Sequence, residues 1–545
     1  MIELPEVLVR RTGASRASLA LLSLVLLLAP ISSARAQRAV STTPGGGPEL
    51  GTVSVEDGAL HLTLDEAIEL ALARNLGLAI QRYSRAQARL GIQQAMGIYD
   101  LGLSATASAR HTEDATTETI EGAEIREQDT QSYSLGLAQL FATGGTVEVG
   151  VTSGRLETNS RNAFINPSFD AGLDVAFRQP LLRNFGRDAT EFGIAVSRLG
   201  SDESLRVFEE QLVATIQNVE LAYWGVVEAQ AQLEVAEESR RLARQLHENN
   251  RVRVDVGTLA PLEMVSSEAG IATREEELIR ARADVGNAED VLKSLLRVDA
   301  TEAWAAPVVP ETDPATEFES VSLEQSLETA LASRPEIERE RVAQQSRDLE
   351  AAYYRAQTKP RLDLRLAYGY SGTGGNVLSR DADGNIIATI PGGLSDAFQQ
   401  VVDNEFPTWS VGLEFGYPLQ NRAARARAAI AELAAEQGEV GISQVEQLVI
   451  TEVRLAVRAI ETARQELESA RVSVRLQTAN LDAERKKFLN GLSTSFQILQ
   501  VEEDLTAARS REVRAVTGYR RALVGYYRAI GRLLDRTGVT IADSE

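Results

Sequence analysis

Two hydrophobic periods alternate along the chain. Leu101 to Ala109, Thr146 to Val151, Phe169 to Arg178, Leu362 to Tyr370 and Trp409 to Tyr417 keep apolar residues at every second position. A period of two is that of a β-strand with unlike faces. Most of these runs are close to the ~9–11 residues that a tilted strand needs to cross a membrane. Gly, Ser and charged residues fill the alternate positions, as a water-filled lumen requires. Tyr368, Tyr370, Trp409 and Tyr417 fall toward strand ends, where an aromatic girdle belongs. A half-buried strand of a soluble sandwich alternates in the same way. The polar second face and the placed aromatics favour the membrane.

The second period is seven. Leu212, Val219, Val226 and Leu233 recur at that spacing, with Ile216 and Tyr223 between them. Val453, Ile460, Leu467, Val474 and Leu481 form a second large seam, accompanied by Ala456, Ala463 and Ala470. Large residues opposite small ones at this spacing read as coiled coil. The pattern predicts helices from about 188 and 420, ~65–70 residues long and about 100 Å at 1.5 Å per residue. Trp224 reads as core of the first. Each rod ends at a glycine, Gly257 or Gly491, suited to the left-handed C′ position. Shorter helices return to about 297 and 533. Pro180 and Pro418 close the strands before each rod, because proline cannot donate to a ladder.

One plan is written twice. Leu64, Glu69, Ala71, Leu72 and Ala73 fall, at a constant offset, on Leu323, Glu328, Ala330, Leu331 and Ala332. Thr63 is a candidate N-cap with Glu66 as its capping-box partner. Helices at about 77–98 and 336–357 follow the two copies, then strands. Polar loops are expected at about 112–131 and 372–407. The first half holds an insertion, a turn at Phe141–Gly145 and a loop at Arg155–Asn166, read as one additional strand pair. The expected layout is therefore a signal peptide at 1–36 and a tether at 37–60. A first repeat at 61–297 follows, with strands at about 100–178 and a hairpin at 188–297 tipped at 257. After a linker at 298–320, the second repeat spans 321–535, with strands at about 362–371 and 408–417. Its hairpin occupies 420–533, tipped at 491, and a tail covers 536–545.

The N-terminus explains how such strands reach a membrane. Arg10, Arg11 and Arg16 precede an apolar run from Leu19 to Ile31, and Ala34-Arg35-Ala36 is a cleavage site that leaves Gln37 first. No later stretch reads as a membrane helix, so any membrane residence must be as a barrel. Composition narrows the chemistry. The net charge of -22 argues against nucleic acid, and the absence of cysteine excludes thiol catalysis and iron–sulfur ligation. His61, His111 and His247 are too scattered for a motif-type metal site. No phosphate loop, nucleophile elbow or zinc-protease motif is present. No cofactor, metal or enzymatic activity is expected. The acidic run Glu502-Glu503-Asp504 reads as solvated surface.

Taken in order, these features resemble the outer membrane efflux protein family, the TolC-like channel-tunnels. The resemblance covers about residues 60–535. It rests on the duplicated opening segment, on Gln179-Pro180-Leu181-Leu182 with its echo Tyr417-Pro418-Leu419, and on the two glycine tips. It implies an α+β membrane protein with two internal repeats. Three copies would close one outer-membrane β-barrel continuous with a helical coiled-coil barrel across the periplasm. The implied function is the passive exit duct of a tripartite efflux or type I secretion system in a Gram-negative-type bacterium. The implied partners are two further copies, a periplasmic adaptor, an inner-membrane transporter and outer-membrane lipid. The family norm is four strands per subunit; the additional pair here either raises twelve to eighteen or lies outside the wall. Position by position, the resemblance puts the adaptor contact at Gly257, Thr258 and Leu259 and at Gly491, Leu492 and Ser493. Gln497 and Gln500 stand where some members carry gate aspartates. The same offsets in the first hairpin give Glu263 and Ser266. A periplasmic adaptor and a soluble coiled-coil scaffold are the alternatives; an adaptor has one hairpin, and this chain has two.

Overall fold

The computed structural model describes residues 58–116, 124–298, 301–314, 318–381 and 385–541. The signal peptide at 1–36 and most of the tether lie outside the described residues. In chain order the elements are β1 (Leu60–Leu62), α1 (Leu64–Arg74), α2 (Leu76–Met96), β2 (Gly102–Ala115), β3 (Ile125–Leu140), β4 (Thr146–Thr158) and β5 (Ile165–Pro180). Then come α3 (Phe192–Asp255), α4 (Leu262–Leu296), β6 (Val308–Pro310), α5 (Leu323–Ser333), α6 (Pro335–Gln357), β7 (Arg361–Arg380) and β8 (Ile386–Ile390). Next come α7 (Leu394–Val402), β9 (Phe406–Gly416), α8 (Arg422–Leu489) and α9 (Ser495–Ala529), and a single helical turn at Leu533–Arg536 follows. It is a helix-rich α+β protein in two units. One is a sheet unit of residues 92–196 and 348–432; the other is a helical unit drawn from the rest of the chain. Helices α2, α3, α6 and α8 contribute residues to both.

The sheet unit is built on one antiparallel sheet in the order β2-β3-β4-β5-β7, with β9 also on β7 and short β8 along the far part of β7. The β3–β4 connection is tight: Phe141 N–H donates to Gly145 O at 2.8 Å, and Gly144 N–H to Phe141 O at 2.8 Å. Gly144 has φ 82°, a conformation side chains resist. The structure corrects three expected loops. Residues 112–115 and 125–131 continue β2 and β3 in register, because Thr112↔Gln128, Glu113↔Glu127 and Asp114↔Arg126 pair polar partners across the ladder. β4 runs on to Thr158 and β5 starts at Ile165, so the loop at 155–166 is much shorter. The segment 372–407 is not a loop either. It holds the end of β7, β8 and α7, which buries Ala397 and Val401 against Ala171. Glycine permits this packing: a β-carbon at Gly372 or Gly374 would collide with the Ala397 or Gly393 carbonyl oxygen.

In the helical unit the seven-residue seams are core. Ile216, Val219, Tyr223 and Val226 are fully buried, and Trp224, read as core, is 2% exposed. Its ring meets Tyr223 edge-on at 5.5 Å. Val453, Ile460, Leu467 and Leu481 are buried too, with Ile460, Ala463, Leu467 and Ala470 packed among Ala515, Tyr519 and Leu523 of α9. Thr63 caps α1 as expected, with the reciprocal bonds Thr63 N–H to Glu66 Oε2 at 2.9 Å and Glu66 N–H to Thr63 Oγ1 at 3.3 Å. Such a cap contributes about 1 kcal/mol.

The segment expected as a linker at 298–320 is partly packed structure. β6 pairs in parallel with β1, so Leu60, placed in the tether, is buried, as is Val308. An ion pair fixes this strand. Lys293 Nζ donates to Glu289 at 3.2 Å and to the Trp304 carbonyl at 3.0 Å, while Glu289 accepts from Val308 N–H at 3.2 Å. Both charges are buried, so neither partner can be removed without stranding the other. Proline and acidic composition concealed this, because the anchoring residues lie on α4.

Candidate functional site

The sheet has two unlike faces. On one, Leu103, Leu137, Val149, Val175, Tyr368 and Trp409 stand in a single cross-strand row over six strands. Rows on either side add Leu135, Val151, Leu173 and Tyr370, and Val147, Phe177, Leu366 and Val411. Much of this face is open: Leu103, Leu135, Trp409, Val411, Leu413 and Phe415 are all exposed. From Leu362, opposite Phe415, to Tyr370 the apolar stretch of β7 measures roughly 27 Å at ~3.4 Å per residue. The apolar band of an outer-membrane barrel is about 25 Å tall.

The other face is polar. The matching row there reads Ser104, Gly136, Gly150, Asp174, Gly369 and Thr408. At its lower end a charge ladder crosses β5, β7 and β9. Arg178 Nε donates to Asp363 at 3.0 Å, Arg361 Nε stands 3.8 Å from the same carboxylate, and both Arg361 and Arg365 pair with Glu414. The sequence reading missed this ladder. Its signal was present, since every member occupies a polar position of an alternating strand.

The helical unit supplies two tips with one backbone plan. Gly257 (φ 76°) and Gly491 (φ 75°) end α3 and α8. At the first, Gly257 N–H donates to Val254 O at 2.9 Å and Thr258 N–H to Arg253 O at 2.8 Å. At the second, Gly491 N–H donates to Phe488 O at 3.1 Å and Leu492 N–H to Lys487 O at 2.9 Å. Both are Schellman motifs, which satisfy the last carbonyls of a helix. Around them Val256, Leu262, Leu489, Leu492 and Phe496 are exposed, Leu492 to 78%.

Behind the tips lies a cavity of about 470 Å³ whose walls include Leu246, Arg253, Phe488, Ile498 and Glu502. Arg253 stacks over the Phe488 ring at 4.5 Å. Glu503 and Asp504 are exposed, as expected of a solvated acidic run, but Glu502 is not. It is 7% exposed and accepts from Arg485 at 3.0 Å. Burial pushes its carboxyl above the usual range, against the pull of Arg485. Glu484 is held low, first by Lys487 and then by Ser493.

Residues 326–532 match the family model described as Outer membrane efflux protein. No curated protein matches the chain. Solved structures are similar in fold. The outer-membrane channel OprN is 16% identical, with a TM-score of 0.62 over 86% of this chain and 89% of that one. The CmeC outer membrane channel of Campylobacter jejuni is 17% identical, with a TM-score of 0.61 over 86% of each chain. The outer membrane protein VceC of Vibrio cholerae is 14% identical, with a TM-score of 0.60 over 86% of this chain and 96% of that one.

The chain resembles the outer membrane efflux protein family. The efflux-protein match holds the second tip, with Gly491, Leu492 and Ser493, together with Pro418 and the long helix α8. The first tip, with Gly257, Thr258 and Leu259, lies outside that match. Pro180 is the last residue of β5, and Pro418 follows β9 by two residues. Tyr368, Tyr370 and Trp409 share the apolar face, the two tyrosine hydroxyls 2.9 Å apart; Tyr417 lies just past β9.

Of the residues expected at a gate from the sequence, Gln500 is exposed and Ser266 half-buried. Glu263 is half-buried, with Oε2 lacking a hydrogen-bond partner among the described residues. Gln497 is engaged: its carbonyl oxygen accepts from Thr494 N–H at 3.2 Å and Ser493 Oγ at 2.9 Å, capping α9. Among the described residues no His, Cys, Asp and Glu cluster is placed to hold a metal. No described helix is long and apolar enough to cross a membrane.

Proposed function

We propose that the chain is the outer-membrane exit duct of a tripartite efflux or type I secretion system, conducting cargo passively and working as a homotrimer. The observation that carries this reading is the six-strand face of open apolar residues backed by a polar face. Water does not favour such a surface; lipid does. The polar face, with its Arg178, Asp363 and Glu414 ladder, then lines the lumen, and Tyr368, Tyr370, Trp409 and Tyr417 form a girdle. This argues against the soluble scaffold. An apolar stripe on α8, where Leu433 and Val440, and Leu448 and Leu455, repeat at seven residues and are exposed, supports packing against further copies.

In this reading residues 1–36 direct export, and the mature chain is two repeats, 61–297 and 321–535. Each repeat supplies strands, a proline corner and a hairpin. The exposed apolar residues at both tips support adaptor contact at Gly257, Thr258, Leu259, Gly491, Leu492 and Ser493, with an inner-membrane transporter beyond. Glu263, Ser266, Gln497 and Gln500 line the periplasmic gate. Gln497 has a second task as a cap, so opening at the second tip must preserve or break that cap.

Single-particle imaging of the mature protein, extracted from the outer membrane in detergent, tests the reading. A three-fold particle with a barrel is expected. A monomer or dimer without one overturns it. Gly491→Pro is expected to abolish export while the barrel still assembles; normal export by that variant sinks the tip assignment.

A further inference from the structure

We infer that each copy contributes six strands to the duct wall, so that three copies close a sheet of eighteen. The number of copies rests on the exit-duct reading above. The six strands rest on the sheet itself.

The additional pair is not an appendage. β3 lies between β2 and β4, paired with β2 from Gly102↔Ala138 to Ala115↔Ile125 and with β4 from Gln128↔Thr158 to Leu140↔Thr146. β4 in turn joins β5. A pair outside the wall would leave the two-faced pattern of its neighbours. Here both patterns pass through it: Leu137 and Val149 continue the apolar row, and Gly136 and Gly150 the polar one. A membrane wall needs that continuity across every strand.

The two ends of the sheet fit each other. Among the described residues β2 pairs only with β3 and β9 only with β7. Each therefore carries a row of unpaired N–H and C=O groups, which hydrocarbon does not tolerate. Six strands are too few to close alone, since about eight make the narrowest filled barrel. All neighbours are antiparallel, so β2 and β9 run in opposite senses, as a seam between successive copies requires.

The stagger of the two ends also fits. Through the ladder Gly102 stands level with Ala367, whereas Gly416 stands level with Arg361. Joining these lower ends displaces the strands by six residues per copy, about 20 Å at ~3.4 Å each, across six spacings of ~4.8 Å. That ratio corresponds to a tilt of about 35°, within the range of closed barrels. The displacement is even, so apolar meets apolar across the seam: Val411 falls opposite Ala107, and Leu413 opposite Ala105. Barrels of 16–18 strands enclose an open aqueous channel, as an exit duct requires.

The chain has no cysteine, so introduced pairs report cleanly. Ala107→Cys with Val411→Cys, and Ala105→Cys with Leu413→Cys, are oxidised in intact outer membranes and run on denaturing gels. A covalent trimer is expected from each, with neither single variant cross-linking beyond background. The wild-type particle, imaged in detergent, is expected to show eighteen strands. A three-fold particle with twelve wall strands and residues 125–158 outside overturns this inference and leaves the exit duct standing. A three-fold particle whose double variants stay monomeric on the gel overturns the β2–β9 seam. Loss of the three-fold particle altogether overturns the exit duct as well.

Discussion

Trp224 and Trp409 are the same residue put to opposite use. Trp224, in the helical unit, is 2% exposed beneath Tyr223; Trp409, in the sheet unit, is 71% exposed on an apolar face. The helical unit sorts its seams as a protein does in water, with Ile216, Val219, Ile460 and Leu467 inside. The sheet unit places Leu413, Val411 and Phe415 outside and its Arg178–Asp363 pair on the polar face. Burial is therefore not one rule for this chain. Each unit is consistent with a different solvent, and in the exit-duct reading proposed above the sheet unit's solvent is lipid.

The largest expected effect tests the buried member. Trp224→Ala removes a filled core position and is expected to cost about 3–5 kcal/mol, read as earlier unfolding of the helical unit in denaturant. Trp409→Ala is expected to cost less than about 1 kcal/mol in detergent, as for an exposed site. Equal losses would erase the contrast between the units.

The next test inverts polarity at adjacent residues of β9. Val411→Arg puts a charge on the apolar face and is expected to cost about 2–4 kcal/mol of folding into vesicles if it lies near the bilayer centre. Ser410→Arg, one residue away on the polar face, is expected to fold nearly as wild type. Equal tolerance would mean that the apolar face does not meet lipid.

How far this contrast was legible in the sequence differs between the units. The seams of α3 and α8 could be read because a seven-residue repeat survives wherever two helices pack. Strands such as Leu362–Tyr370 could be read because their two faces differ. β3 was not read as a full strand, since Arg126 to Gln131 are polar on both faces and carry no period; only the partner residues of β2 and, from Gln128 on, of β4 define them. α7 was hidden by the glycines that let it approach β7. The burial of Glu502 was equally invisible, because its partner Arg485 lies on another helix and the run Glu502-Glu503-Asp504 looks uniformly acidic. Local pattern carried the elements, and distant partners carried the exceptions.

The tips test whether backbone alone sets a rule in the helical unit. No atom lies within 4 Å of a β-carbon at Gly257, Gly491 or Gly441. Only the first two have positive φ. Gly257→Ala and Gly491→Ala are each expected to destabilise by about 1–2 kcal/mol, the cost of an L-residue in the left-handed region. Gly441→Ala, inside α8, is expected to stabilise by about 0.5–1 kcal/mol. Thermal melts in detergent read both signs, and a shared sign would remove the tip strain.

The smallest effect separates two caps that look alike. Thr63 and Thr494 each close a capping box, but the reciprocal residue is Glu66 in one and Gln497 in the other. Each Thr→Ala change is expected to cost about 1 kcal/mol at neutral pH. The Thr63 backbone N–H, then its hydroxyl at 2.8 Å, hold the Glu66 carboxyl below its usual range. The ionised form is thus favoured when folded. Its contribution is present above the unfolded carboxyl value and is lost as pH falls through the folded one. The penalty of Thr63→Ala is therefore expected to shrink, without vanishing, on acidification, because the Glu66 N–H bond to the hydroxyl does not titrate. The penalty of Thr494→Ala is expected to stay level, since the Gln497 carboxamide does not ionise in this range; Glu484, which does titrate nearby, bonds Ser493 and not Thr494. Amide hydrogen exchange in the first turns of α1 and α9, followed from neutral to acid pH, measures both. Parallel pH profiles would show that the Glu66 carboxylate contributes nothing to its cap.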